Sequence, residues 1–272
     1  VIPEGGENLA RGVGLLGLSE WRFSKTGIVY LSSYTDFPVH LTLPKAEDLF
    51  SEWLKLREWD VKVSPPGRIA KQILKQVGGI LGISSLANVR VIALLEKMSE
   101  GNALNKNEFW GEILQIANQA KYTRDPQRVL QKMIDADMFR LGVEIQCPTC
   151  TQHSWYSITD FDYKLRCMKC SETFQIPAGS PEDMKWSYRA HGPFNLPNRA
   201  YGVYSVLLTL RFFSPPLGYG ITPIMSFGAT RGNKKVEADL GLFLRETKFG
   251  QSKTHLIFAE CKTYNKLKEY DS

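Results

Sequence analysis

Four cysteines and a short set of charged residues are the parts of this 272-residue chain whose types and spacing could do chemistry. The cysteines read Cys147-Pro-Thr-Cys150, a spacer of sixteen residues, then Cys167-Met-Lys-Cys170. A two-residue gap lets both thiolates of a pair turn toward one point, and two such pairs supply the four soft corners of a tetrahedral Zn²⁺ site. Four thiolates leave no open position for a reacting water, so the expected ion is structural. The other chemistry of such pairs, thiol redox exchange, needs only one of them. His153 would be a superfluous fifth ligand and reads as an exposed hairpin residue. The charged set lies near the C-terminus. Glu237 and Asp239 sit on a strand-like segment, Val236 to Leu244, and Glu260-Cys261-Lys262 ends another, His255 to Lys262. Side chains alternate along a strand, so Glu237 and Asp239 are expected on one face, and likewise Glu260 and Lys262. A hairpin through the polar connection Arg245 to Thr254 would bring Asp239 beside Glu260 and Lys262. Two carboxylates together take a hard divalent cation, Mg²⁺ or Mn²⁺, through oxygen. Such an ion acts as a Lewis acid and a source of hydroxide, and a lysine beside it orients water and stabilises charge on a phosphate. That is phosphodiester-hydrolysing chemistry. The same residues would also suit a cross-strand ion pair on a solvated face.

Bulk composition narrows the classes. With 43% hydrophobic and 23% charged residues the chain reads as soluble and globular, long enough for two or three modest domains. The formal net charge of +6 favours anionic partners, with nucleic acid the commonest; a basic surface with no specific partner is the alternative. No apolar run approaches the roughly 20 residues that span a bilayer. The most apolar stretch, Tyr201 to Phe213, is closed by Ser214-Pro215-Pro216. No secretory signal is evident, and metal binding outweighs a disulfide framework for cysteines in two such pairs, so a cytoplasmic location is expected. The chain opens with Val1 rather than Met, which points to a fragment or a processed product.

The elements that must position these groups follow from periodicity. Residues 1-64 are mixed, with strand-like Ile28 to Leu31 and Val39 to Leu43. After Pro44 a helix carries Leu49, Phe50, Trp53, Leu54 and Leu56. Ser64-Pro65-Pro66-Gly67 marks a break. Helices are then expected over Arg68 to Val77, Leu86 to Met98, Glu108 to Gln119 with Asn107 as its cap, and from Asp125-Pro126 to about Asp137. Phe139 to Gln146 reads as extended. Helices followed by an extended segment suggest a winged-helix or helix-turn-helix module, and a plain helical bundle gives the same pattern. Lys121, Arg124, Arg128 and Lys132 give the last of these helices a basic side. Trp186 to Phe194, with Arg189 and His191 among aromatics, could stack on and neutralise a nucleic-acid strand or pack a linker.

Two resemblances rest on these residues. The cysteine pairs, with Trp155 to Ile158 and Tyr163 to Arg166 as strands around the turn Thr159 to Asp162 and with Phe174 to Ile176 beyond, resemble the zinc-ribbon family over residues 145 to 177. That implies a closed, structural zinc site. Asp239 followed by Glu260-Cys261-Lys262 on a strand apolar on both sides, as expected of a buried central strand, resembles the PD-(D/E)xK, restriction-endonuclease-like nuclease superfamily over residues 185 to 272. The resemblance implies a helix (Asn198 to Phe213), a three-stranded meander (Ile221 to Phe227 and the hairpin), then a second helix, whose start fits Lys266 to Glu269, and a further strand. It implies that Asp239 and Glu260 ligate Mg²⁺ or Mn²⁺, that Lys262 is the catalytic lysine, that Glu237 is an auxiliary and that Cys261 is a packed variable position. The chain departs from the family where many members carry an acid on the first helix, since none lies between Lys185 and Ser214, and it ends before the second helix is complete.

The expected architecture is multidomain, α+β and α/β. It comprises a mixed region 1-64, a helical, winged-helix-like module 65-144, a zinc ribbon 145-180, and a restriction-endonuclease-like domain 181-272 with a mixed sheet flanked by helices. The expected function is a metal-dependent DNA nuclease of bacterial restriction or phage defence, with structural zinc, catalytic Mg²⁺ or Mn²⁺, and nucleic acid held by Arg124, Arg128, Lys132 and Arg189. The alternatives are a non-catalytic nucleic-acid-binding or assembly protein on a degenerate nuclease fold, and a scaffold for protein partners.

Overall fold

A computed structural model describes residues 19–23, 27–32, 39–42, 45–119, 124–176, 184–214, 220–248 and 251–262. Lys121, the Pro215-Pro216 stop and the expected helical start at Lys266 to Glu269 lie outside the described residues. The chain is mixed α+β, with several antiparallel sheets, helices and a four-cysteine cluster. Among the described residues no helix is long and apolar enough to cross a membrane.

The helices begin where the sequence supplies side-chain acceptors for their first N–H groups. After α1 (Ala46–Lys55), Ser64 caps α2 (Pro65–Gln76), its Oγ accepting from the Gly67 N–H at 3.3 Å. Asn88 caps α3 (Val89–Lys97), so the helix expected over Leu86 to Met98 starts three residues late, after the 3₁₀ turns of Ile80–Ala87. The cap of α4 (Lys106–Gln119) is Asn105, two residues before the expected Asn107; its Oδ1 accepts from the N–H groups of Asn107 and Glu108. Asp125 caps α5 (Pro126–Asp135) with proline at the first position, as the sequence indicates. The helix expected over Asn198 to Phe213 is only α6 (Val203–Phe212), because Asn198, Arg199, Ala200 and Tyr201 all take positive φ and Gly202 follows at φ 81°.

The strands form four sheets. β1 (Ser19–Phe23), β2 (Gly27–Ser32) and β3 (Val39–Thr42) make a meander. β5 (Ala103–Asn105), β10 (Trp186–Ala190), β6 (Phe139–Gln146) and β7 (His153–Ser157) lie in that order, all antiparallel. β8 (Lys164–Arg166) pairs with β9 (Thr173–Gln175). β4 (Asp60–Val63), β11 (Gly220–Arg231), β12 (Lys234–Lys248) and β13 (Gln251–Ala259) complete the set, again antiparallel throughout.

Two of these pairings correct the sequence reading. The segments around Trp155 and Leu165 do not form one hairpin: β7 joins β6 and β8 joins β9, so the cysteine pairs sit between two different sheets. β13 is also an edge strand among the described residues, with Phe258 51% exposed, rather than a buried central one.

The core does not divide at the sequence breaks. One apolar cluster takes Ala70 and Ile73 from α2, Leu94 and Leu95 from α3, Phe109 and Ile113 from α4, Phe139 from β6, Leu207 and Leu210 from α6, and Leu240 and Leu242 from β12. β4, from the N-terminal segment, is the other edge of the sheet that carries Asp239. A second cluster, on the opposite face of that sheet, centres on Phe50 of α1, whose ring lies 5.7 Å from Phe227, 5.0 Å from Phe243 and 5.9 Å from Phe258. Between the two clusters the strands change face. Met225 and its partner Leu240 pack in the main core, whereas Phe227 and its partner Ala238 pack with Phe50. Residues two apart on a regular strand share a face, so the alternation slips at Ser226, which has φ 37°, and Asp239 opposite it. The Ser226 carbonyl accepts from both the N–H (2.9 Å) and the hydroxyl (2.7 Å) of Ser64, the α2 cap. α2 presses so closely there that a Cβ on Gly67 would stand 2.2 Å from the Met225 carbonyl oxygen.

Candidate metal centre and active site

The metal centre is built from two near-identical turns. In the first, Thr151 N–H donates to the Cys147 carbonyl at 2.9 Å and Cys147 N–H donates to the Gln152 carbonyl at 2.9 Å. In the second, Ser171 N–H donates to the Cys167 carbonyl at 3.0 Å and Cys167 N–H to the Glu172 carbonyl at 2.8 Å. The residue after each second cysteine, Thr151 or Ser171, takes a positive φ of 58° or 63°, which folds the pair back on itself. Cys147 Sγ lies 3.7 Å from Cys170 Sγ, and Cys150 Sγ 3.6 Å from Cys167 Sγ. All four sulfurs fall within 4.8 Å of one another. A tetrahedron with Zn–S legs of about 2.3 Å has edges of about 3.8 Å, so the cluster fits one zinc ion. The backbone N–H groups of Cys170 and Lys169 point at Cys167 Sγ and pull its pKa down to about 6, toward the thiolate that a metal needs. Leu165, Phe174 and Tyr156 floor the site, and the Tyr156 hydroxyl donates to the Arg166 carbonyl at 3.1 Å. His153, exposed on β7, is not part of the cluster.

The second group is set by the β12–β13 ladder, whose last paired residues are Leu240 and Ala259. Asp239 and Glu260 come next on the two strands, so the register brings them to adjacent positions. Beyond the ladder the Cys261 N–H donates to Asp239 Oδ2 at 2.8 Å, a side-chain bond in place of the next backbone one. Ser226 Oγ donates to the Asp239 carbonyl at 3.3 Å. Lys262 Nζ lies 2.7 Å from Glu260 Oε1; the Glu260 side chain is 69% exposed and that of Lys262 33%. Cys261 packs against the main core, and burial pushes its thiol pKa up. Asp239 Oδ1 and Glu260 Oε2 take no part in these two contacts.

The other expected site residues fall elsewhere. Glu237 is exposed and lies 3.2 Å from Lys235. Among the described residues the cysteine tetrad is the only cluster of three or more metal-ligating side chains, so Glu237 does not join Asp239 and Glu260 in one. The slip at Asp239 removes the alternation that placed Glu237 beside it. Arg189 is half-buried in β10, with its guanidinium 5.0 Å from the Trp155 ring, and burial lowers its pKa. Its side chain packs on that sheet over Trp155. His191 lies 3.6 Å from Asp137, which also binds Arg140 through both carboxylate oxygens. Arg124, Arg128 and Lys132 are exposed at and along α5, with Arg128 3.7 Å from Asp125.

One feature was not read from the sequence. Beside Lys262 a cavity of about 410 Å³ is walled by α6 residues Tyr204, Leu208 and Phe212, with Ile92 and Arg199. The positions 204, 208 and 212 recur every four residues on one helix face, and that spacing was the available signal. Comparison of the chain with family models, with curated proteins and with solved structures gives no match.

Proposed function

We propose that the chain is a metal-dependent nuclease of the PD-(D/E)xK type, with the reaction at Asp239, Glu260 and Lys262. The observation that carries this reading is the 2.8 Å bond from the Cys261 N–H to Asp239 Oδ2, which holds the aspartate against the Glu-x-Lys strand. The order α6, β11, β12, β13 agrees with a helix followed by a three-stranded meander. In the reaction, Asp239 and Glu260 would hold Mg²⁺ or Mn²⁺, which supplies Lewis acidity at the phosphate and a more acidic water. Lys262, beside Glu260, orients that water and offsets charge gathering on the phosphate oxygens. The cysteine tetrad, closed by its own ligands, braces the sheet of β6 and β7 instead of reacting.

We further propose duplex DNA as the bound form. The order α3, β5, α4, α5, β6, β10 with the strands arranged β5-β10-β6 agrees with a winged-helix plan, and the zinc turns lie in the connection from β6 to β10, where a wing would be. On that plan α5 would enter the groove, with Arg124, Arg128 and Lys132 on phosphates. Bacterial restriction or phage defence is the setting that such a combination suits.

The test is cleavage of plasmid DNA by the full chain. Mg²⁺- or Mn²⁺-dependent nicking is expected, abolished in Asp239→Ala and Lys262→Ala. A second reading, a non-catalytic nucleic-acid-binding protein, draws on the exposed Glu260–Lys262 pair, which also suits a solvated ion pair. Salt-sensitive binding without cleavage under either metal would select it.

A further inference from the structure

The cavity beside Lys262 holds three features that packing alone does not explain. Tyr204 is 2% exposed, yet its buried hydroxyl has no hydrogen-bond partner among the described residues. Buried hydroxyls nearly always have one, since leaving a donor unpaired forfeits its hydration. Phe212 is 80% exposed although it ends an apolar helix that otherwise faces the core. Arg199 brings a guanidinium to the same wall, held by Glu96 at 3.4 Å. The volume, about 410 Å³, lies within the roughly 300–1,000 Å³ of small-molecule sites.

Together these supply an apolar floor from Ile92 and Leu208, an exposed aromatic face at Phe212, and two cations, Arg199 and Lys262, each beside a carboxylate. A nucleotide matches that set: a base stacks on an aromatic ring whatever its identity, and its phosphate lies beside the cations. Inside a duplex both faces of a base are covered by its stacked neighbours, so a base must leave the stack to offer a face to such a wall. We infer that the cavity seats one unpaired nucleotide of the substrate strand, next to the phosphodiester bond at Lys262, so that the chain engages single-stranded or locally opened nucleic acid at the point of cleavage. The inference rests on the nuclease reading for the identity of the neighbouring bond.

Fluorescence anisotropy of a fluorescein-labelled single-stranded oligothymidine, titrated with the full chain without added divalent ion, tests it. Phe212→Ala and Arg199→Gln are each expected to weaken binding by about tenfold. Leu81→Ala, at an exposed position away from the cavity, should change nothing. Unaltered affinity in both Phe212→Ala and Arg199→Gln overturns the inference, as does a native chain that binds no oligonucleotide. Cleavage assays on the same variants separate the two readings. Metal-dependent cleavage that is indifferent to Phe212 leaves the nuclease reading standing and removes the nucleotide seat. Phe212-dependent binding with no cleavage under Mg²⁺ or Mn²⁺ does the reverse.

Discussion

The Asp239 carboxylate accepts a hydrogen bond from the Cys261 N–H, so the side chain of one strand ends the ladder of the next. This gives Asp239 two separable duties, one to the fold and one to a cation. Asp239→Asn keeps a carbonyl oxygen for the Cys261 N–H but loses the negative charge. Asp239→Ala loses both and leaves a half-buried N–H without its acceptor, which costs about 1–3 kcal/mol. Cleavage should fall at least about 100-fold in both variants. In urea, only the alanine variant should shift its unfolding midpoint markedly. Equal midpoints for the two would mean that the 2.8 Å bond contributes nothing.

Metal removal should act on the cysteine sheet and not directly on Asp239. One equivalent of zinc per chain is expected, released by a strong chelator with loss of ordered structure around β8 and β9, since the binding energy is folding energy. The Cys167 pKa is depressed to about 6 by the N–H groups of Cys170 and Lys169. A depressed pKa favours the folded thiolate above the ordinary thiol value of 9.0, and that preference is lost as pH falls through about 6. Protons compete with the ion for all four thiolates, so zinc release, followed with a chromogenic chelator across pH, should rise on acidification. Protein purified with no zinc and ordered without it would contradict the structural role.

Gly67 tests how the fold supports the site. A methyl group there meets the Met225 carbonyl at 2.2 Å and the Ser226 carbonyl at 2.4 Å, both rigid backbone. Gly67→Ala must lift α2 away from the kink at Ser226, with an overpacking cost of about 1–3 kcal/mol. Because Ser226 backs Asp239, cleavage should drop as well, while zinc content stays unchanged. An unaltered urea midpoint would show that α2 is not seated on β11.

What the sequence made legible was chemistry tied to spacing. The cysteine pairs cluster because two-residue gaps fix where thiolates point, and Asp125-Pro126 marks the start of α5 because capping is local. Partner choice was not legible. Trp155 and Leu165 lie on strands as read, but alternation says nothing of which strand each one joins, and knuckle geometry sends them apart. Asp60–Val63 gave no sign that it borders a strand more than 150 residues later. The strand leading to Glu260 is apolar on both sides because Phe258 lies against Phe50 on one face while Ile257 and Ala259 meet the main core on the other. Apolar contacts on two faces look the same in sequence whether the strand is central or, like β13 with its part-exposed Phe258, at an edge. The slip at Ser226 was equally hidden, and with it the separation of Glu237 from Asp239.

Arg128 and Arg189 look alike in sequence and should behave oppositely on mutation. Arg128, exposed on α5 with Lys132 one turn on, has nothing to hold in the core. If α5 lies on DNA, Arg128→Ala and Lys132→Ala should each weaken duplex binding at low salt and reduce the slope of log affinity against log salt by about 1, with no change in melting temperature. Arg189 lies over Trp155, whose indole N–H donates to Ser187 Oγ at 3.0 Å on the same strand. Arg189→Ala removes packed side-chain surface from that sheet, so it should lower the melting temperature and leave the salt slope where it was. A salt slope that responds to Arg189 and ignores Arg128 and Lys132 would move the nucleic-acid surface from α5 to the β10 face.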